Sequence, residues 1–215
     1  MNYLTYKHLA QYCLESYDDA TMAAKPYFHR IDVESNVAFW THPTPHDLLL
    51  VFRGSDDDTD WQENFNRGRV RMNDLHAGWR KLSQQIWPAI HELLKAQDPD
   101  TKLTVTGHSL GGVLATLTNF YASMNGIDFD TVGLFGTPSP FSRIFTDVIR
   151  DEKWAKNTVS FVYGNDAAPR ILDNSYIGQQ IHIGPKRCFR WRKAIKDHDL
   201  SGYIDALDKL HRESF

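Results

Sequence analysis

Cysteine is scarce in this chain: Cys13 and Cys188 are the two it has in 215 residues. One disulfide between them is conceivable, but no disulfide framework, which excludes a small stapled scaffold and favours a reducing compartment. Charge of one sign is lacking too. Lys and Arg number 24 against 27 Asp and Glu, for a net charge of −3, so no global field argues for a nucleic-acid partner. No apolar run approaches the length of about 20 residues that spans a bilayer. The opening residues, Met1 to Leu9, show no basic segment followed by an apolar one. The expectation is therefore a chain without a secretory signal, placed in the cytoplasm. H-E-x-x-H, paired C-x-x-C, P-loop and G-x-G-x-x-G motifs are all missing, so neither a metal nor an organic cofactor is expected.

What is present is a composition suited to a packed core, 41% hydrophobic and 13% aromatic. The length fits one domain over residues 1–215. Residues 3–17 carry apolar side chains near helical spacing. Val37–Trp40 reads as a short strand, with Pro43 and Pro45 marking the turn after it. Leu48–Phe52 is a continuous apolar run of the kind buried on both faces of a parallel sheet. A helical stripe covers 78–96, with Pro88 expected to kink or split it. Lys102–Thr106 predicts a strand and 110–124 a strongly periodic helix, closed by Asn125-Gly126. Strands follow at 132–135, 159–163 and 180–183, with helices near 141–150 and over 200–210. This alternation predicts an α/β fold with a mostly parallel central sheet flanked by helices.

Between the strand at 102–106 and the helix at 110–124 lies Gly107-His108-Ser109-Leu110-Gly111-Gly112. It fits G-x-S-x-G, the nucleophile elbow of the α/β-hydrolase fold. A serine on such a turn projects its hydroxyl from the carboxyl edge of the sheet. The glycines make room for tightly apposed backbone, and the helix start aims N–H groups at the reacting centre. The string alone would occur by chance in roughly one chain in fifteen of this length. Its setting between a strand and a periodic helix is the context the motif requires. Without that context it would be no more than a glycine-rich turn.

A serine hydroxyl needs a base within hydrogen-bond reach, and in this fold the chain order is Ser, then Asp or Glu, then His. His182, His198 and His211 follow Ser109. His182 sits in an alternating segment that reads as a strand, and His211 lies near the chain end. His198, in a loop ahead of the last helix, is the candidate base. Asp166, in the turn that ends the strand at 159–163, is the candidate acid that orients it. Asp173 is the alternative acid.

Several separated motifs carry a resemblance to the class 3 lipases, which include the fungal triacylglycerol lipases. Val51-Phe52-Arg53-Gly54-Ser55 resembles a strand ending in R-G-S or R-G-T. Asp60-Trp61, Asn64 and His76-Ala77-Gly78-Trp79 follow at similar spacing. Phe135-Gly136-Thr137-Pro138 resembles the F-G-x-P element, Asp166-Ala167-Ala168-Pro169 the D-x-x-P element, and His198 with Tyr203 the terminal histidine motif. The likeness spans residues 51 to 203. It implies a serine carboxylic-ester hydrolase acting on acyl esters such as acylglycerols through an acyl-enzyme on Ser109. It also implies an oxyanion hole from Ser55 and the backbone N–H of Leu110. A phospholipase A1, a general carboxylesterase and a catalytically silent binding protein on the same fold are the alternatives.

Two segments depart from or add to that pattern. The candidate lid, residues 56–65, holds Trp61 and Phe65 among five carboxylates, a poor apolar face for a lipid surface. Strong interfacial activation is not expected from it. The stretch from Lys186 to Lys193 carries five positive charges with Phe189 and Trp191 interleaved. It reads as a solvated loop, or as a peripheral contact for an anionic lipid surface.

Overall fold

A computed structural model describes residues 1–33, 37–44, 46–54, 72–170, 176–185 and 191–214. The strands are β1 (His29–Val33), β2 (Val37–Pro43), β3 (Asp47–Phe52), β4 (Lys102–His108), β5 (Thr131–Phe135), β6 (Thr158–Tyr163) and β7 (Gln179–Ile183). They form one sheet in strictly sequential order. β1, β2 and β3 pair antiparallel, and β3 to β7 pair in parallel. Parallel neighbours need crossovers; α-helices lie between the strands from β3 to β6, and a 3₁₀ turn, Ala168–Arg170, lies between β6 and β7.

The α-helices among the described residues are α1 (Tyr3–Glu15), α2 (Asp19–Ala23), α3 (Met72–Lys95), α4 (Leu110–Met124), α5 (Arg143–Ile149), α6 (Lys153–Lys156), α7 (Trp191–Lys196) and α8 (Leu200–Arg212). The period of two along the strands sorts side chains between two cores. Leu48, Leu50 and Phe52 of β3, Leu103 and Val105 of β4, and Val132 and Leu134 of β5 meet Ile86, Ile90 and Leu94 of α3 and Leu114 of α4. On the other face Val51, Phe135 and Phe161 meet Leu9, Ala10 and Cys13 of α1 and Leu200, Tyr203 and Leu207 of α8. Each fully buried Leu, Val or Phe contributes about 1.5–3 kcal/mol. Gly133 belongs to this second face, and a Cβ there would stand 2.9 Å from Leu9 Cδ1.

The fold expected from the sequence is the fold found, with corrections at its margins. β1 was not foreseen, because His29-Arg30-Ile31-Asp32-Val33 has the charge of an edge strand rather than the apolar run of a central one. α3 starts at Met72 and stays one helix across Pro88. It is anchored on both sides of the proline by buried Ile86, Ile90 and Leu94, and that burial outweighs the single lost hydrogen bond. The short helices α2, α6 and α7 have too few residues for a periodic signature. Cys13 is fully buried and its thiol is pushed up to about 12 by desolvation, which keeps it protonated and unreactive. Cys188 lies outside the described residues.

Candidate functional site

β4 delivers the chain to Ser109, and α4 begins at the next residue. Ser109 has φ 54° and ψ −124°, and among the described residues it is the one non-glycine with positive φ. Such a conformation costs on the order of 1–3 kcal/mol and persists only where its surroundings enforce it. They do so here through glycines. A Cβ on Gly107 would fall 2.2 Å from the Gly111 carbonyl oxygen, and one on Gly111 2.2 Å from the Phe52 carbonyl oxygen. The elbow is thus closed on itself and pressed against the end of β3. The Ser109 carbonyl accepts from the N–H groups of Gly112 and Val113 at 3.0 and 3.2 Å, which starts the helix. The Ser109 N–H donates to the Phe135 carbonyl at 3.1 Å, fixing the serine beside the end of β5.

Asp166 stands just beyond β6, after a turn in which Gly164 has φ 54°. Its N–H donates to the Tyr163 carbonyl at 2.9 Å. The side chain is fully buried, and three donors stabilise its charge. The Ala168 N–H reaches Oδ1 at 2.8 Å, the Tyr203 hydroxyl reaches Oδ2 at 2.5 Å, and His198 Nδ1 lies 2.9 and 3.0 Å from the two oxygens. Burial, and then the neighbouring Asp166 charge, hold the Tyr203 phenol well above its ordinary pKa, so it remains a donor. A carboxylate only accepts. Nδ1 of His198 therefore carries the proton, and the neutral ring's lone pair is on Nε2.

His198 occupies the turn between α7 and α8, where its N–H donates to the Ile195 carbonyl at 3.1 Å. The preceding Asp197 is buried, and its Oδ2 accepts the Asn165 N–H at 2.8 Å. That bond ties the histidine turn to the aspartate turn. Gly136, one residue past the carbonyl that holds Ser109, packs against both partners. A Cβ on it would fall 2.6 Å from Asp166 Oδ2 and 2.9 Å from His198 Nδ1. The ends of β4, β5 and β6 thus bring Ser109, Asp166 and His198 around one point, the Phe135–Gly136 peptide.

The other candidates sort differently. Leu110 is the first residue of α4 and half-buried. Ser55, Trp61 and Phe65 lie outside the described residues, as do Asp173 and 186–190 of the basic stretch. His182 is exposed on β7, and His211 is half-buried on α8. Sequence reasoning set His108 aside because it precedes Ser109. Yet its ring lies 4.4 Å from that of His198, and its Nε2–H donates to the His198 carbonyl at 2.9 Å. No spacing rule joins residues 90 apart. The one signal was its adjacency to the serine. Among the described residues no three His, Cys, Asp or Glu side chains gather to hold a metal ion, and no helix is long and apolar enough to cross a membrane.

Beside the elbow lies a small buried apolar cluster. Leu110, Val113 and Leu117 of α4 pack with Trp79, Tyr121 and Phe141. Beyond them lies an open groove of about 480 Å³, lined by Ala77, Arg80, Leu117, Phe120, Tyr121, Phe141 and Phe145 among others.

Comparison with known proteins agrees with this fold. Residues 49–175 match the family described as lipase (class 3). A secreted mono- and diacylglycerol lipase of Fusarium solani is 30% identical over 135 residues, covering 58% of this chain and 39% of that protein. One from Malassezia globosa is 25% identical over 165 residues, covering 74% and 53%. The chain thus spans about half or less of the length of these curated relatives. The Rhizomucor miehei lipase in its propeptide complex superposes with a TM-score of 0.62 at 17% identity, covering 85% of this chain and 67% of that one, which shows the shared fold. Both curated relatives are named as secreted. That points to the extracellular side and overturns the cytoplasmic expectation, which rested on a low cysteine count and on the leading residues, neither of which fixes a compartment.

Proposed function

Because the chain belongs to the class 3 lipase family, we propose that it is a carboxylic-ester hydrolase that cleaves acylglycerols or related acyl esters, with Ser109 as nucleophile, His198 as general base and Asp166 as its orienting acid. The observation that carries this reading is the strained Ser109 held at the Phe135 carbonyl, one residue from the glycine on which the Asp166–His198 pair rests. Strain of this kind is maintained where a side chain must be presented.

In the first half-reaction His198 Nε2 takes the hydroxyl proton as Ser109 Oγ attacks the ester carbonyl. Negative charge then develops on the carbonyl oxygen, at the positive end of α4. The Leu110 N–H is proposed to donate to it, together with Ser55, each donor contributing about 2.7–4 kcal/mol. Asp166 keeps the imidazole in the Nδ1–H tautomer and offsets the charge of the imidazolium. The tetrahedral species collapses as the imidazolium protonates the leaving alcohol. Water, deprotonated by the same imidazole, then attacks the acyl-enzyme and releases acid and free serine. An acyl chain bound to Ser109 would run past Leu110 towards the groove at Leu117, Phe141 and Phe145. Peripheral contact of the basic stretch with anionic lipid is part of the same proposal. Reversing Arg190 and Arg192 should weaken binding to anionic vesicles, and unchanged binding would remove that part.

The test is hydrolysis of p-nitrophenyl butyrate and palmitate by the wild type and by Ser109→Ala, with fluorophosphonate labelling of both. Loss of a triad member should cost on the order of 10⁴–10⁶ in turnover. A wild type that neither hydrolyses ester nor takes up the probe would overturn the reading in favour of a silent binding protein.

A further inference from the structure

Beyond the three residues of the proposed chemistry, the structure contains a second histidine at the same edge. His108 is almost wholly buried and contacts His198 through its ring and a hydrogen bond. Its two ring nitrogens have distinct jobs. A carbonyl can only accept, so Nε2 must carry the proton in the 2.9 Å bond to the His198 backbone oxygen. Nδ1 of the neutral ring is then an acceptor, and the Tyr17 hydroxyl lies 2.8 Å from it, positioned to donate. The same hydroxyl touches the end of β3, since a Cβ on Gly54 would fall 2.0 Å from it. Gly54 directly precedes Ser55. Tyr17, at the end of the N-terminal segment, therefore meets the strand that leads to one proposed oxyanion donor and the histidine that grips the base.

We infer that His108, held in one tautomer by Tyr17, is a positioning residue for His198: it fixes the backbone of the histidine turn through its Nε2–H and supports the imidazole through ring contact. This inference rests on the hydrolase reading above. The His198 turn is short, and the Asp166 bond constrains only one edge of the imidazole. Rotation of the turn about that bond would swing Nε2 away from the serine without breaking the Asp166 contact. The carbonyl grip and the ring contact, acting with the Asp197–Asn165 bond between the two turns, limit that freedom. Burial and the nearby His198 keep His108 far below the usual imidazole range. It thus stays neutral, and no second cation forms against the imidazolium during turnover.

The test measures kcat and KM for p-nitrophenyl butyrate in His108→Phe, His108→Gln and Tyr17→Phe, with thermal melting and fluorophosphonate labelling of each. Phe keeps the ring and loses the N–H. Gln places an N–H near the former Nε2. Misplacement of a catalytic group by about 1 Å can cost about 10²-fold. The expected result is therefore a kcat fall of about 10²-fold in His108→Phe with KM within about twofold, and recovery of at least about tenfold of that loss in His108→Gln. Tyr17→Phe should lose severalfold in kcat alone. If folded His108→Phe keeps wild-type kcat, or if Gln is no better than Phe, the inference is overturned. Should His108→Phe fail to fold, Tyr17→Phe decides, and an unchanged kcat there overturns it. A wild type inert to both ester and probe would instead sink the hydrolase reading, which these variants leave untouched when the wild type is active.

Discussion

The Tyr203 hydroxyl donates to Asp166 Oδ2 at 2.5 Å, joining the first turns of α8 to the carboxylate beyond β6. A hydrogen bond to a charged, buried partner contributes about 1.5–3 kcal/mol. Tyr203→Phe should lower unfolding free energy by that amount in urea titration while His198 and the Ala168 N–H still hold the carboxylate. Asp166→Asn is expected to fold and to lose about 10⁴-fold in kcat, because the amide can stabilise the wrong imidazole tautomer. A Tyr203→Phe protein as stable as the wild type would show that the hydroxyl contributes nothing there.

Glycines near the elbow should differ sharply from glycines elsewhere. Gly111→Ala puts a methyl group 2.2 Å from the Phe52 carbonyl oxygen, where no flexible side chain can yield. A loss of about 3 kcal/mol is expected from such overpacking. Gly78, inside α3, has no atom within 4 Å of the same added methyl. Gly78→Ala should instead stabilise by about 0.5–1 kcal/mol through helix propensity. Thermal melts of the two variants check both signs, and equal behaviour would contradict the packing account.

His108 should make the protein acid-labile. Its folded pKa lies well below 6.5, with desolvation first and the charge of His198 second as causes. The groups facing it are Tyr17, His198 and Tyr203. In the unfolded chain it binds a proton below about 6.5, and in the folded chain it does not. Its contribution is thus fully present above that pH and lost as pH falls towards the folded value. Unfolding free energy measured from pH 7 to 4.5 should decline less steeply in His108→Gln than in the wild type. Parallel curves would contradict the assignment.

Chain-length preference should follow the groove beside α3. Ala77 lines it and is exposed, so Ala77→Trp fills space without removing a core contact. The ratio of palmitate to butyrate hydrolysis is expected to fall severalfold, with kcat on the butyrate within about twofold. An unchanged ratio would place the acyl chain elsewhere.

The legibility of the site follows from how local each contact is. Ser109 was visible because an elbow is written within six consecutive residues, Gly107 to Gly112, although only Gly107 meets its own turn, while Gly111 faces Phe52 and Gly112 faces Thr137. The aspartate and histidine were legible through chain order, since parallel strands present their following loops at one edge in sequence. β1 was not legible, because an edge strand need not be apolar. The grip of His108 on His198 was not either, and chain order had argued against giving that histidine any part.

The sequence by itself determined the layered α/β architecture, through the two periodicities that assign each side chain to a face. It also determined the strained serine turn, because only glycine fits its apposed backbones. Tertiary structure alone decided which buried polar groups meet: Tyr203 with Asp166, Asp197 with Asn165, and Tyr17 with His108 and so with His198. Their partners lie between 32 and 91 residues apart. A hydrogen bond depends on tenths of an ångström, which no pattern of residue types specifies. Those distances exist only once the sheet and the helices on its two faces have packed.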